Sequence, residues 1–156
     1  MTFKSISNAR VWLPALLFVV IASDALAQGP FKGEWTVVEV NSPDWAGNGA
    51  AQKLDVAATS AGEKVDFRST EVASDGALGC NRASYQVVTV RISEIFQGRA
   101  GESAKDAAES AGIAPNFRTL RVTCGNGESI DYHEAGKSLV ALRGDFLYTL
   151  MREDAR

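Results

Sequence analysis

The chain has 156 residues, of which 16 are basic and 19 acidic, with one histidine, 46% apolar residues and a net charge of −3. That length suits one domain with a core adequate for independent folding. The mild negative charge, with no long charge run, excludes the concentrated basic surface that non-specific nucleic-acid or anionic-membrane binding requires.

The N-terminus carries an export pattern. Lys4 and Arg10 form a positive region, Val11 to Ala22 is an apolar run broken by Pro14, and Ala25-Leu26-Ala27 gives the small-x-small pattern that a signal peptidase reads. The run falls short of the roughly 20 apolar residues a membrane span needs, and no cysteine lies near the cut for a lipid anchor. Residues 1–27 are therefore expected to be a cleaved signal peptide and residues 28–156 a single β-barrel domain, periplasmic or secreted. Cleavage removes two basic and one acidic residue, so the mature 129 residues carry 14 basic and 18 acidic groups, net −4.

After the cut, Gly33 to Val40 reads as a first strand, rich in β-branched and aromatic residues. Asn41 to Asp44 breaks it, and Trp45 follows in a Gly-rich loop, where an aromatic either plugs the end of a core or caps a barrel mouth or ligand site. Gln52 to Ala61 is read as strand from the alternation of Leu54 and Val56, although its alanines would also allow a helical turn. Gly62 to Ser69 alternates more clearly, with Val65 and Phe67 opposite Lys64, Asp66 and Arg68. Glu71 to Gly79 is expected to be a turn-rich connection anchored by Val72 and Leu78. Ser84 to Ile92 has the composition of a strand buried on both faces, and Ile95 and Phe96 extend the core. One helix is signalled: Ser103 as N-cap with Asp106 three residues on, Gly112 at a left-handed C-cap, and Ala104, Ala107, Ala108 and Ala111 as a small-residue stripe for close packing on a sheet.

From Asn116 to Arg152 the pattern is a four-stranded meander. Its turns fall at Cys124-Gly-Asn-Gly127, Glu134-Ala-Gly-Lys137 and Arg143-Gly-Asp145, because glycine and asparagine reach positive φ at little cost. Leu120, Val122 and Cys124 alternate with Arg121 and Thr123, and Ile130 and Tyr132 with Asp131 and His133, so one face is apolar and the other is expected to be wet. Phe146, Tyr148 and Leu150 oppose Leu147, Thr149 and Met151, which covers both faces of the last strand. About eight short strands with glycine turns and one short α-helix give a mainly β fold, a single small antiparallel barrel, with a two-sheet sandwich as its competitor.

Two cysteines, Cys80 and Cys124, both follow the cut, and the expected outcome in an oxidising compartment is one disulfide. Closing that loop stabilises by roughly 4 kcal/mol in the chain-entropy model. The spacing is not the Cys-x-x-Cys of a redox pair, and two sulfurs are too few for a structural zinc site. The remaining chemistry is sparse. His133 shares a strand face with Asp131, which makes an acid/base pair conceivable, but Ser84 and Ser129 sit outside any nucleophile motif, and neither metal-ligand spacing nor a nucleotide fingerprint occurs. No catalytic residue, cofactor or metal is therefore expected. Arg143-Gly144-Asp145 spells the adhesion tripeptide in a turn that wants a glycine for its own geometry.

Gly79-Cys80-Asn81, Trp35, Thr119 to Cys124 and the terminal Leu147-Tyr-Thr-Leu-Met-Arg152 resemble parts of the META domain of HslJ-like bacterial envelope proteins. Gly33-x-Trp35 followed by a meander with a late arginine is similar to the lipocalin and calycin barrels. Both resemblances imply an exported β-barrel. The reading that follows is a non-enzymatic barrel binding a small apolar ligand or an envelope protein, with Trp35, Trp45, Phe67, Tyr85 and Phe146 as candidate ligand contacts around a cavity of about 300 Å³ or more. A second reading is a proteinaceous inhibitor of a hydrolase such as lysozyme or a protease, presenting the loop Asp44 to Gly49. A third, a hydrolase, rests on Asp131 and His133.

Overall fold

The computed structural model describes residues 29–43, 45, 60–115 and 117–152. The proposed signal peptide, the segment 46–59 with most of the strand expected from Gln52, and the loop from Asp44 to Gly49 apart from Trp45 lie outside the described residues.

Among the described residues nine strands form one sheet: β1 (Gly33–Asn41), β2 (Lys64–Phe67), β3 (Glu71–Ala73), β4 (Cys80–Asn81), β5 (Ser84–Val90), β6 (Phe117–Thr123), β7 (Ser129–Ala135), β8 (Ser138–Arg143) and β9 (Phe146–Arg152). Their order is β4-β3-β2-β1-β9-β8-β7-β6-β5, and every neighbouring pair is antiparallel. The sheet curls into a half-barrel, and α1 (Ala104–Ser110), a short helix among the described residues, accompanies it. The mainly β architecture read from the sequence is therefore present, with β3 as a short strand inside what reads as a turn-rich connection.

The curl follows from connectivity. β4 and β5 are the two edges of the sheet, yet only Arg82 and Ala83 lie between them, and three peptide steps reach at most about 11 Å. The edges must meet at this corner. Gly125 N–H donates to the Asn81 carbonyl at 2.9 Å, and the Tyr85 hydroxyl on β5 donates to the Glu71 carbonyl on β3 at 2.6 Å. The Cys80–Cys124 disulfide, with Cα atoms 5.4 Å apart, ties β4 to the end of β6.

Turn chemistry sets the register of the meander. Gly136 (φ 64°) and Gly144 (φ 59°) open the two-residue connections of the β7–β8 and β8–β9 hairpins, a conformation in which a Cβ is strained. With the register fixed, alternation sends Trp35, Val37, Val65, Phe67, Leu120, Val122, Ile130, Tyr132, Tyr148 and Leu150 into an inner core. Phe67 and Tyr132 meet edge to face at 4.9 Å between ring centres.

A second core lies on the outer face. The irregular segment Ile92–Gly98 and α1 cross it, so Ile95, Phe96, Ala104, Ala107, Ala108 and Ile113 pack with Phe117 and Val140. The small stripe of α1 acts as the sequence implies, and its end is a Schellman arrangement. Ile113 N–H donates to Ala108 O at 2.8 Å and Gly112 N–H to Glu109 O at 3.1 Å, with Gly112 at φ 68°. At the other end, Ser103 makes no side-chain cap bond, because the preceding 3-10 turn Gly101–Ser103 runs straight into the helix and already fills the N-terminal turn.

Two expectations about faces are overturned by this second layer and by strand order. β5 is not buried on both faces; only Val90 is buried, and Val87 is 36% exposed, because β5 is an edge strand whose valines cannot announce their place in the sheet. His133 is not on a wet face; it is 0% exposed, because the segment after β5 folds over it.

Candidate functional site

One end of the half-barrel is closed by the chain that enters it. The 3-10 turn Gly29–Phe31 puts Phe31 into the inner core, and the Trp35 indole N–H donates to the Phe31 carbonyl at 2.9 Å. Arg152, at the end of β9 and paired in register with Trp35, lays its guanidinium 4.7 Å above the Trp35 ring. Its Nη2 donates to the Lys32 carbonyl at 2.9 Å and to the Pro30 carbonyl. A planar cation on an indole face, with donors satisfied by carbonyls at its rim, is an arrangement for which lysine has no equivalent. Arg152 Nε is buried without a partner among the described residues.

Beside this stack the β7–β8 turn leaves a cleft of about 350 Å³ lined by Pro30, Trp35, Glu134, Gly136, Lys137, Ser138, Leu139 and Arg152. Pro30, Trp35 and Leu139 supply an apolar wall. Glu134 is engaged by Arg118 in a two-pronged pair at 2.9 Å for each bond, so the charges left at the cleft are the exposed Lys137 ammonium and the Arg152 guanidinium, whose partners are neutral carbonyls. The cleft can hold a small molecule with an apolar body and a polar edge. A larger cleft of about 540 Å³ is lined by Ser60, Glu63, Lys64, Asp75 and Tyr148 among others, and its Ser60 edge adjoins the undescribed segment in sequence.

Four of the five candidate ligand contacts share the inner core and the fifth lies in the outer layer; of the five only Trp35 lines the cleft. Phe67 is buried in the inner core, with Tyr85 and Phe146 packed partly buried against it; burial pushes the Tyr85 hydroxyl up to about 12. Trp45 belongs to the outer layer, stacked on Phe96 at 5.4 Å. Pro30, Leu139 and Lys137 were not singled out by sequence; Gly136 and Lys137 read only as a turn, and the one visible signal for the site was the pairing of an early Gly-x-Trp with a late arginine.

Asp131 and His133 do not form an acid/base pair. Phe96 N–H donates to His133 Nε2 at 3.2 Å, which assigns the ring proton to Nδ1, 2.8 Å from Thr119 Oγ1. Phe96 and Phe117 approach the imidazole ring at 5.1 and 5.3 Å. Burial pushes the imidazole down to about 4, so it is neutral near pH 7. The Asp131 carboxylate accepts instead from Arg121 Nε and Nη2 at 2.9 and 2.8 Å. Both ends of the adhesion-like tripeptide are also occupied, Arg143 by Glu128 at 2.6 Å and Asp145 by Arg99 at 2.9 Å. Among the described residues no acidic, histidine and cysteine cluster could hold a metal, and no helix is long and apolar enough to cross a membrane. Comparison of the chain with family models, with curated proteins and with solved structures finds no match.

Proposed function

We propose that the protein is an exported, non-enzymatic half-barrel that binds a small, mainly apolar ligand at the Trp35–Arg152 end. The observation that carries this reading is the cleft of about 350 Å³ between that stack and the β7–β8 turn, with an apolar wall on one side and Lys137 on the other. The contact of Arg152 with Trp35 supports the lipocalin-like resemblance, and the Cys80–Cys124 disulfide supports an oxidising compartment. The engagement of both His133 nitrogens in structural bonds supports a binding rather than a catalytic role.

The inner core shapes the ligand question. Phe67, Tyr132 and Tyr148 occupy the inside of the curl, which favours binding at the end of the barrel over engulfment in its centre. Native mass spectrometry of the protein purified from its own periplasm tests this. The expected result is a bound small molecule that is lost in Ser138→Trp, which fills the cleft, while the fold is kept. A bare protein in the wild type, or a ligand retained undiminished in Ser138→Trp, would overturn it. Co-purification with a protein and no small molecule would move the reading to an envelope partner.

A further inference from the structure

A third cleft lies at the opposite end of the β7–β8 hairpin, where the half-barrel closes. It measures about 270 Å³ and is bounded by the β4–β5 link, the disulfide and the β6–β7 turn. Three features converge on it.

First, Arg82 occupies the two-residue crossing between the sheet edges with φ 51°, a left-handed conformation that a long side chain adopts only when its surroundings impose it. Its guanidinium stem runs across Gly125, where an added Cβ would come within 2.6 Å of Arg82 Nε. The glycine thus makes room for the arginine. Secondly, Arg82 makes no hydrogen bond, ion pair or ring contact among the described residues. Arg68, Arg99, Arg118, Arg121, Arg143 and Arg152, by contrast, all bond to a carboxylate or a carbonyl; Arg91, the other described arginine with no such partner, lies outside the cleft. Thirdly, the far wall already holds one carboxylate. Glu128 accepts from Arg143 Nη2 at 2.6 Å and from Asn126 Nδ2 at 2.8 Å, and these bonds keep its carboxyl below the usual range. Arg143 and Glu128 cancel, so the cleft keeps one uncompensated positive charge with its planar fork of donors open.

We propose that this cleft binds a carboxylate, held two-pronged by the Arg82 guanidinium with Arg143 contributing at its rim. A planar fork matches a carboxylate in a way a lone ammonium does not. The carboxylate could be that of a free small acid or of a peptide C-terminus, which present the same group.

The test is an NMR titration of the oxidised protein, following the Arg82 Nε–H resonance at constant ionic strength. The probes are acetate, an N-acetylated tripeptide with a free carboxyl terminus, and the same tripeptide as its amide. Saturable shifts with the two acids and none with the amide are expected; a tighter free-acid tripeptide identifies a chain terminus, and equal affinities a small acid. Arg82→Asn keeps a residue that tolerates positive φ while removing the cation, and it is expected to weaken binding about tenfold or more. Glu128→Gln is expected to strengthen binding several-fold by removing the one negative charge on the wall. Arg91→Gln, an exposed arginine away from the cleft, is expected to change nothing. No saturable shift, an equal response to the amide, or a loss in Arg91→Gln matching that in Arg82→Asn would overturn the proposal. Amide dispersion in the same spectra reports whether each variant is folded.

Discussion

At the scale of single residues, the molecule depends on polar groups placed inside apolar layers and bonded there. His133 is the sharpest case. Its folded-state titration lies near 4 against about 6.5 for an unperturbed histidine, so between those values the unfolded chain binds the proton and the native one does not. The contribution of this residue is whole above about pH 6.5 and is lost progressively as pH falls towards 4, by a total on the order of 3 kcal/mol. The groups facing it are Asp131, whose charge opposes the shift, and Arg121, whose charge adds to it. Urea denaturation of wild type and His133→Gln across pH 4 to 7.5 checks this: the two curves should converge on acidification, and parallel curves would refute the assignment. Arg152→Ala is expected to cost about 2 kcal/mol, since it removes the cation from the Trp35 face and strands two carbonyls. A urea midpoint unchanged from wild type would show that the stack is ornamental to stability. Alternation alone placed Tyr132 and His133 on opposite faces of β7 correctly. What it could not reveal was that the second face is roofed, because the roof comes from a segment far away in sequence.

At the scale of elements, that roof is Ile92–Gly98 with α1, and small residues allow its close approach. Ala107 and Ala108 are 4% and 1% exposed, so Ala108→Leu is expected to overpack the layer and destabilise by about 1–3 kcal/mol. Lys105→Leu on the wet side is expected to stay within about 0.5 kcal/mol of wild type. Thermal or urea unfolding of the pair separates the two faces, and equal effects would mean that the helix does not pack as described. The alanine spacing and Gly112 made α1 legible from sequence, since an i, i+3, i+4, i+7 stripe ending at glycine has few other readings. β5 was misread for the converse reason. Val87, Val88 and Val90 look like the interior of a sheet, but strand order is decided by long-range pairing, and β5 ends at an edge. The Pro30, Lys137 and Leu139 walls of the candidate cleft are invisible in sequence for the same cause, as they come from the turn Gly29–Phe31, the β7–β8 turn and the start of β8, which only long-range strand pairing brings together.

At the scale of the whole molecule, a nine-stranded sheet is bent until its edges meet at Arg82 and Ala83, and the disulfide holds that corner. Cys80 and Cys124 are separated by 44 residues in sequence, and reduction is expected to destabilise the fold by up to about 4 kcal/mol. Amide hydrogen exchange should then rise first at Gly125 and Ala83, whose N–H groups bond across the corner; uniform exchange over the sheet would contradict a local opening. The cleft proposed to bind an apolar ligand lies at the other end, and the most direct measurement is an amide and indole NMR titration of the oxidised protein with anilinonaphthalene sulfonate, a small aromatic anion. Saturable shifts at the Trp35 indole N–H and at the Gly136, Lys137 and Ser138 amides, abolished in Ser138→Trp, are the result the proposed function predicts. Unmoved signals at those positions, or shifts gathered around Phe96 and His133 instead, would contradict it.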